Sequence, residues 1–203
     1  MVILGLTGSI GMGKTTTARL FAEAGVAVHD SDAAVHELYA GPGSQHIEAE
    51  FPGTACDGHV DRRILSQRVL GNDHAMRRLE SVVHPYVAQH REAFIVTAQA
   101  RGDKLIVLDV PLLFEISGER NVDAVIVASA PKSLQKSRVL MRPGMTAEKF
   151  EALLAKQTPD VDKRRRAHYV IDTAHGISDA RRQVMDILKS IAHMQQGREG
   201  RFQ

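Results

Sequence analysis

The residues whose types and spacing could bind phosphate lie near the start of the chain, where Gly-Ser-Ile-Gly-Met-Gly-Lys-Thr occupies positions 8–15. This segment matches the pattern G-x-x-x-x-G-K-[ST]. Its glycines allow a backbone nest whose N–H groups point at phosphate oxygens, and a helix beginning near Lys14 would add its positive end. Lys14 would contact the β- and γ-phosphates, and the Thr15 hydroxyl would ligate Mg²⁺. An apolar strand pattern precedes the segment and a helical pattern follows it, so we interpret it as a nucleotide phosphate site.

Carboxylates follow two of the predicted strands. Asp30 and Asp32 are two positions apart, so in an extended chain they point to the same side, where one of them could accept a proton from a substrate hydroxyl or orient it. The sequence equally allows that Asp32 or Ser31 only caps the next helix. Asp109 follows four apolar residues, as does a carboxylate that holds Mg²⁺ through water beside a phosphate loop. The alternative for Asp109 is a structural carboxylate that bonds the loop.

Basic residues concentrate between positions 132 and 166. Ten lysines and arginines against four acidic residues give this segment a net charge of +6, which leaves −4 for the rest of the chain. Arg138 and Arg142 are four apart and are expected on one helix face, where they could stabilise the charge of phosphoryl transfer. We interpret the segment as a lid over a nucleotide. The run 163–166 is read as a solvated face, because only Phe150 in the segment could stack on a nucleic-acid base.

The elements that must position these residues are predicted from periodicity. Five short runs rich in Val and Ile are typical of parallel strands buried on both faces. They lie at 2–6, 26–29, 105–108, 124–128 and 169–171. Helical patterns lie at 14–24, 33–39, 86–100 and 180–194. This alternation predicts an α/β fold with a five-stranded parallel sheet flanked by helices.

Two regions interrupt that alternation. The stretch 56–101 is too long for an ordinary crossover, and we predict a helical insertion beside the sheet. Within it, His84-Pro85 is expected to open the helix over 86–100, since proline is common at a first helical turn. The stretch 132–166 is predicted to be two helices joined at 142–145, where proline and glycine should stop a helix. We predict that all 203 residues form a single domain.

Composition excludes several classes of protein. With 43% hydrophobic and 25% charged residues, the chain is typical of a soluble globular protein. The net charge of +2 is too small to indicate a nucleic-acid binder. Cys56 is the one cysteine, the histidines have no zinc-ligand spacing, and no N-K-x-D guanine-reading motif is present. No signal peptide or spanning segment is predicted, so we expect a cytoplasmic protein that needs no membrane.

The ordered set of short motifs along nearly the whole chain resembles the dephospho-coenzyme A kinase family. No single motif except the glycine loop is specific, but their order is. Besides that loop and Asp30-Ser31-Asp32, the motifs are Asp61-Arg62 with Leu65, His84-Pro85, Pro111-Leu112-Leu113-Phe114-Glu115, Gln135 with Arg138 and Arg142, and Gln157 with Lys163-Arg164 and residues 167–172. Ser9, Met12, Thr15 and Pro143 depart from the commoner family pattern.

This resemblance implies an enzyme that transfers the γ-phosphoryl group of ATP, with Mg²⁺, to the ribose 3′-hydroxyl of dephospho-coenzyme A. By motif position, Asp32 would be the base or hydroxyl-orienting group, and Lys14 with the lid residues Arg138 and Arg142 would complete the catalytic set. The ATP-binding residues would be Gly8, Ser9, Ile10, Gly11, Met12, Gly13, Lys14, Thr15 and Thr16. The acceptor-binding residues would be Thr7, Asp32, Arg62, His84 and Leu112.

The metal-holding residues would be Thr15 and Asp109. A monomer or weak homo-oligomer that binds no nucleic acid is expected. The alternative is another P-loop small-molecule or nucleoside monophosphate kinase.

Overall fold

The computed structural model describes the backbone of residues 1–199 and the side chains of residues 1–193. Within these residues the chain alternates strands and helices. The strands are β1 (Val2–Thr7), β2 (Ala27–Asp30), β3 (Ala55–Cys56), β4 (His59–Val60), β5 (Leu105–Asp109), β6 (Ala124–Ser129) and β7 (Tyr169–Asp172). The α-helices are α1 (Lys14–Glu23), α2 (Ser31–Ala40), α3 (Ser44–Glu50), α4 (Arg62–Val69), α5 (Asp73–Ala100), α6 (Lys132–Leu140), α7 (Ala147–Leu154), α8 (Asp160–Arg166) and α9 (Ile177–Glu199).

The chain divides into two compact units. The first, which we call the sheet unit, comprises residues 1–29 and the chain from Gly102 onward. The second, the helical unit, is continuous and comprises Asp30–Arg101. The predicted insertion at 56–101 forms the second part of the helical unit, whose first part contains α2 and α3.

The sheet unit contains a five-stranded parallel sheet in the order β2-β5-β1-β6-β7, which confirms the predicted fold class. Each of the five predicted strands is present, and each ends within one residue of its predicted end. In β1, Leu6 pairs with Asp109 of β5 and with Ile126 of β6. Because the strands are parallel, the loops that follow β1, β5, β6 and β7 all leave from the same edge of the sheet.

The core of the sheet unit explains why these runs form strands and helices. Leu4, Leu6 and Val107 pack on one face against α1 and α9. On α9, Ala180, Val184, Ile187 and Ile191 recur at helical spacing and are all buried. Leu113, Phe114, Val125 and Val127 form a separate cluster. The central strands β1, β5 and β6 are therefore mostly apolar and buried, as parallel strands that are covered on both faces must be, whereas the edge strands β2 and β7 are partly exposed.

The helical unit has its own core of residues from α2, α3, α4 and α5. Leu38, Ile47, Phe51 and Leu65 are at its centre and are buried. Side-chain caps mark the start of α2, α4 and α5; at α4 the Asp61 carboxylate accepts from the N–H groups of Arg63 and Ile64. The hairpin between β3 and β4 turns at Asp57 and Gly58, both with positive φ, as a two-residue type I′ turn requires.

Pro85 lies inside α5, so the prediction that His84-Pro85 opens a helix is wrong. The helix begins at Asp73 and is capped by Asn72, whose side-chain oxygen accepts from the Ala75 N–H. An interior proline removes one backbone hydrogen bond, which here would have gone to the Ser81 carbonyl. Apolar side chains before and after Pro85 pack into the core of the helical unit, and this packing holds the two halves in one helix.

The region 132–166 contains three helices rather than the predicted two. The predicted joint at 142–145 is confirmed, since α6 ends at Leu140 and α7 begins at Ala147. A second break separates α7 from α8 and contains Gln157, Thr158 and Pro159. None of the described helices combines the length and the apolar character that crossing a membrane requires.

Candidate active site

The glycine loop connects the end of β1 to the start of α1. Gly11 and Gly13 have φ values of 79° and 89°, which are costly for residues with a side chain. Space is also limiting, because a Cβ on Gly11 would lie 2.5 Å from Val139 Cγ2 and 2.9 Å from the Gln135 carbonyl oxygen. The N–H of Thr17 bonds the Gly13 carbonyl, so α1 begins directly after the loop. The loop therefore combines left-handed glycines with a helix start, which are the two backbone features that a phosphate-binding nest uses.

The remaining loop residues are held by close packing. Ser9 and Met12 are buried, and the Met12 N–H donates to the Ser9 carbonyl. The Met12 sulfur accepts from the Ala130 N–H at 3.1 Å. These contacts show how a chain with serine and methionine at these positions keeps a compact loop. Thr15 is exposed at the first turn of α1, where its hydroxyl is free to reach a ligand, and Thr16 is half-buried.

Lys14 forms an ion pair with Asp109 at the end of β5. The Lys14 Nζ lies 2.7 Å from Asp109 Oδ1, and the two side chains are 14% and 3% exposed. In this low-dielectric position the attraction is stronger than at a surface. The structure therefore brings together the lysine and the strand-end carboxylate that the sequence placed 95 positions apart.

The oxygen ligands at this site suit Mg²⁺. Thr15 offers a hydroxyl and Asp109 a carboxylate, which are the hard oxygen donors that this ion prefers. Among the described side chains, no group of three or more His, Cys, Asp or Glu residues is arranged to hold a metal.

Arg138 and Arg142 differ, although the sequence paired them. Arg138 is half-buried: its Nη1 donates to the Thr173 hydroxyl at 2.8 Å and its Nη2 to the Thr173 carbonyl at 2.7 Å. Arg142 lies beyond the end of α6, so the prediction that both arginines share a helix face is wrong. Pro143 and Gly144 follow it and stop the helix. The Arg142 side chain is exposed, and it makes no hydrogen bond or ion pair with any described residue.

Thr173 is a site residue that the sequence analysis missed. It follows β7 and is buried, and its hydroxyl donates to the Met12 carbonyl at 2.9 Å. It also packs against the Cα of Gly13, where a Cβ would come within 2.9 Å of the Thr173 hydroxyl. The available signal was its position directly after the last strand, at the edge of the sheet that carries the other site loops.

Two glutamines that entered the sequence analysis only as motif residues also contact the loop. The Gln135 Nε2 donates to the Ile10 carbonyl at 2.8 Å. The Gln157 Oε1 accepts from the Ile10 N–H at 3.1 Å. Both backbone groups of Ile10 are thus bonded by side chains from the basic region 132–166.

A buried ion pair lies beside the second break of that region. The Lys163 side chain is 0% exposed, and its Nζ lies 3.0 Å from Glu115 Oε1. The same oxygen accepts from the Thr158 N–H at 2.7 Å. Burial raises the pKa of the Glu115 carboxyl, but the Thr158 N–H and the Lys163 ammonium outweigh that effect and hold the pKa below its ordinary value. Lys163 therefore does not belong to a solvated face, as the sequence had suggested for the run 163–166.

Two residues predicted to bind an acceptor lie in the sheet unit. Thr7 is buried, and its hydroxyl donates to the Pro111 carbonyl at 2.9 Å, which ties β1 to the segment after β5. Leu112, in that same segment, is 42% exposed. An exposed leucine between the buried Thr7–Pro111 contact and the buried Leu113 is available to contact a ligand.

The other residues predicted to bind an acceptor lie in the helical unit. Asp30 rather than Asp32 or Ser31 caps α2, because its carboxylate accepts from the N–H groups of Asp32 and Ala33. The Asp32 carboxylate is left exposed, with no bond to another described side chain. The Arg62 Nη1 lies 3.2 Å from His36 Nε2, and its guanidinium lies over the Tyr39 ring. His84 is exposed on α5.

Comparisons with known proteins agree with this arrangement of motifs. Residues 2–179 match the protein family described as Dephospho-CoA kinase. The chain is 53% identical to the dephospho-CoA kinase of Rhodopseudomonas palustris (strain HaA2), over 96% of this chain and 98% of that protein. It is also 53% identical to the dephospho-CoA kinase of Mesorhizobium japonicum, over 94% of this chain and 97% of that protein.

Solved structures give the same result for the fold. A crystal structure of a Thermus thermophilus protein superposes with a TM-score of 0.79 and 31% identity, over 93% of this chain and 97% of that one. Dephospho-CoA kinase from Campylobacter jejuni superposes with a TM-score of 0.65 and 23% identity, over 93% and 96% of the two chains. The second likeness supports the fold alone.

Proposed function

The chain belongs to the dephospho-CoA kinase family, and from this premise we propose that it transfers the γ-phosphoryl group of ATP to the ribose 3′-hydroxyl of dephospho-coenzyme A. This reaction is the final step of coenzyme A biosynthesis. The alternative, another small-molecule or nucleoside monophosphate kinase, is not favoured, because the curated relatives at about 50% identity bear this one name.

The observation that carries the proposal is the glycine loop with Lys14 at its end. Gly11 and Gly13 adopt the backbone conformation that turns N–H groups toward an anion, and α1 directs its positive end to the same place. Lys14, held by Asp109, would release that contact in part to bind the β- and γ-phosphates. This arrangement orients the terminal phosphoryl group and stabilises the charge that develops on it.

In the proposed reaction, the 3′-oxygen of the acceptor forms a bond to the γ-phosphorus while the bond from that phosphorus to the β,γ-bridging oxygen breaks. The bridging oxygen leaves with ADP and keeps the electron pair. Asp32 would orient the 3′-hydroxyl and take its proton, since its carboxylate is exposed and Asp30 already supplies the cap of α2. Arg62, His84, Thr7 and Leu112 are proposed to bind the acceptor.

Thr15 and Asp109 are the residues that would hold Mg²⁺, which would neutralise part of the phosphate charge when bound with ATP. The exposed Arg142 would contribute positive charge from the lid, whereas Arg138 would act on the glycine loop that it contacts. We propose the organisation predicted above, namely a single kinase domain whose insertion binds the acceptor and whose basic region closes as a lid. We also propose a cytoplasmic monomer or weak homo-oligomer.

The proposal is tested by measuring ADP release in a coupled assay, with dephospho-coenzyme A and a panel of nucleoside monophosphates as acceptors. We expect turnover with dephospho-coenzyme A and only background ADP release with the panel. Phosphorus NMR of the product should show a new phosphomonoester on the ribose 3′-oxygen. Equal or faster turnover of a nucleoside monophosphate, or phosphorylation elsewhere on the acceptor, would overturn the proposed substrate.

A further inference from the structure

The backbone of Ile10, in the middle of the glycine loop, is bonded from both sides by amide side chains. Gln157 accepts from its N–H at 3.1 Å, and Gln135 donates to its carbonyl at 2.8 Å. The chemistry fixes the orientation of both amides, because a backbone N–H can only donate and a carbonyl can only accept. Gln157 must therefore present oxygen, and Gln135 must present nitrogen.

These two bonds determine how the loop faces a phosphate group. The Ile10 N–H is turned to Gln157, so it is not one of the N–H groups that point at the anion. The next residue, Gly11, has positive φ and packs against Val139 and the Gln135 backbone. Holding the Ile10 peptide therefore sets the direction from which the chain enters the nest formed by Gly11 to Gly13.

The two glutamines are themselves firmly placed. Gln135 is 4% exposed on α6, in the helix that also carries Arg138. Gln157 precedes Thr158, whose N–H is held by Glu115, and Glu115 is paired with the buried Lys163. A conformational change in either part of the basic region would therefore reach Ile10 through a short chain of hydrogen bonds.

We propose that Gln135 and Gln157 are positioning residues for ATP, which fix the glycine loop by clamping Ile10, with Glu115 supporting Gln157 through Thr158. The inference rests on the proposed function in one respect, namely that this loop binds ATP. It adds the means by which the two ends of the basic region hold the loop in the conformation that accepts the phosphates.

The test uses two substitutions at each glutamine in the full-length protein. Gln157→Met and Gln135→Met remove the amide at nearly constant volume. Gln157→Glu keeps an acceptor for the Ile10 N–H, whereas Gln135→Glu loses the donor for the Ile10 carbonyl. Affinity for a non-hydrolysable ATP analogue is measured by calorimetry, together with KM for ATP, KM for dephospho-coenzyme A, and Tm.

We expect each methionine variant to weaken analogue binding roughly 5–10-fold, the scale of one lost hydrogen bond, with KM for dephospho-coenzyme A unchanged. Gln157→Glu should bind more tightly than Gln157→Met, and Gln135→Glu should bind no better than Gln135→Met. Because both glutamates add the same charge, opposite rankings at the two positions isolate the hydrogen bonds. The same ranking at both positions, or an equal rise in both KM values, would overturn the clamp.

Gln183 provides a matched control. Its amide also bonds both backbone groups of a single residue, Asp172, which β7 additionally holds by pairing with Ser129. Gln183→Met should lower Tm without weakening binding of the ATP analogue. Binding weakened as much as in the Gln135 and Gln157 variants would contradict a specific role for the clamp.

If the buried Gln135 variants do not fold, the comparison of Gln157→Glu with Gln157→Met tests the clamp alone. A wild-type protein that binds the analogue but does not phosphorylate dephospho-coenzyme A would overturn the proposed acceptor. The clamp would still be tested by the affinities of the glutamine variants for the analogue.

Discussion

Several candidate residues of the sheet unit are bonded to other residues of the fold, whereas most candidate residues of the helical unit are exposed without such bonds, as are Thr15, Leu112 and Arg142 of the sheet unit. In the sheet unit, Lys14 is paired with Asp109, and Arg138 bonds Thr173. In the helical unit, Asp32 and His84 are exposed, and no described residue bonds the side chain of either one. Only Arg62 among the proposed acceptor residues of that unit has close partners, His36 and Tyr39.

This difference separates two kinds of functional residue. A side chain that bonds other residues of the folded protein contributes both to folding and to the site, so its loss should lower both stability and activity. A side chain without a structural partner contributes only when a ligand is present, so its loss should lower activity alone. Measuring kcat and Tm on the same variants tests the distinction directly.

The largest effect is expected for Asp32→Asn, which removes the proposed base. We expect kcat to fall by ~10²–10⁴-fold, the scale of a positioned acid–base group. Tm should change little, because no described residue bonds the carboxylate and its interaction with the N-terminus of α2 is worth no more than about 1 kcal/mol. Steady-state kinetics and thermal melts on the purified variant measure both quantities.

Asp30→Asn is the matched control for Asp32→Asn. Asparagine caps helices as well as aspartate does, so α2 should remain stable and kcat should stay near the wild-type value. A large loss of turnover in this variant, with Asp32→Asn active, would reverse the roles of the two carboxylates.

Glu115→Ala should give the largest loss of stability. It leaves Lys163, which is fully buried, without its counter-ion, and breaking one side of a buried pair costs about 3–5 kcal/mol. Urea denaturation measures this difference. Arg181→Met breaks an exposed pair with Glu23 and should cost no more than about 1 kcal/mol. Similar losses in the two variants would show that the Lys163–Glu115 pair does not contribute as a buried pair.

Lys14→Met should lower both kcat and Tm, because Lys14 is a candidate site residue whose side chain is also bonded to another residue of the fold. Removing a preorganised charge from the phosphoryl group costs ~10²–10³-fold in kcat. Tm should fall because the almost fully buried Asp109 loses the ion pair with Lys14. Lys189→Met removes an exposed lysine on α9 and should change neither value. An unchanged kcat/KM in Lys14→Met would contradict the proposed phosphate contact.

The smallest effect is expected for Glu48→Gln and concerns stability alone. The N–H groups of Gly53 and Ala55, followed by that of Thr54, hold the pKa of Glu48 below its ordinary value of 4.5. Its contribution is therefore complete above pH 4.5 and is lost as pH falls through the lowered pKa. The Tm difference between wild type and variant should shrink as pH falls below 4.5, with kcat unchanged. A Tm difference that stays constant over this range would rule out the charge as its cause.

Periodicity in the sequence was sufficient to predict the sheet. Each of the five apolar runs became a strand, since the runs are short, rich in Val and Ile, and alternate with helical patterns, which together favour buried parallel strands. The same reasoning failed at Pro85, where packing in the helical unit outweighs the lost hydrogen bond. It also missed β3, β4 and the break at 155–159, which are too short to show a period.

The sequence by itself determined the glycine loop, the strand-end carboxylates and the order of motifs, because each depends on residues close together in the chain. Only the tertiary structure decided what holds them: Thr173 beneath the loop, Gln135 and Gln157 on Ile10, and Lys163 buried against Glu115. These partners lie far apart in sequence, and their pairing depends on which loops leave the same edge of the sheet. Local patterns carry no information about such contacts, since they arise only when the strands are placed side by side.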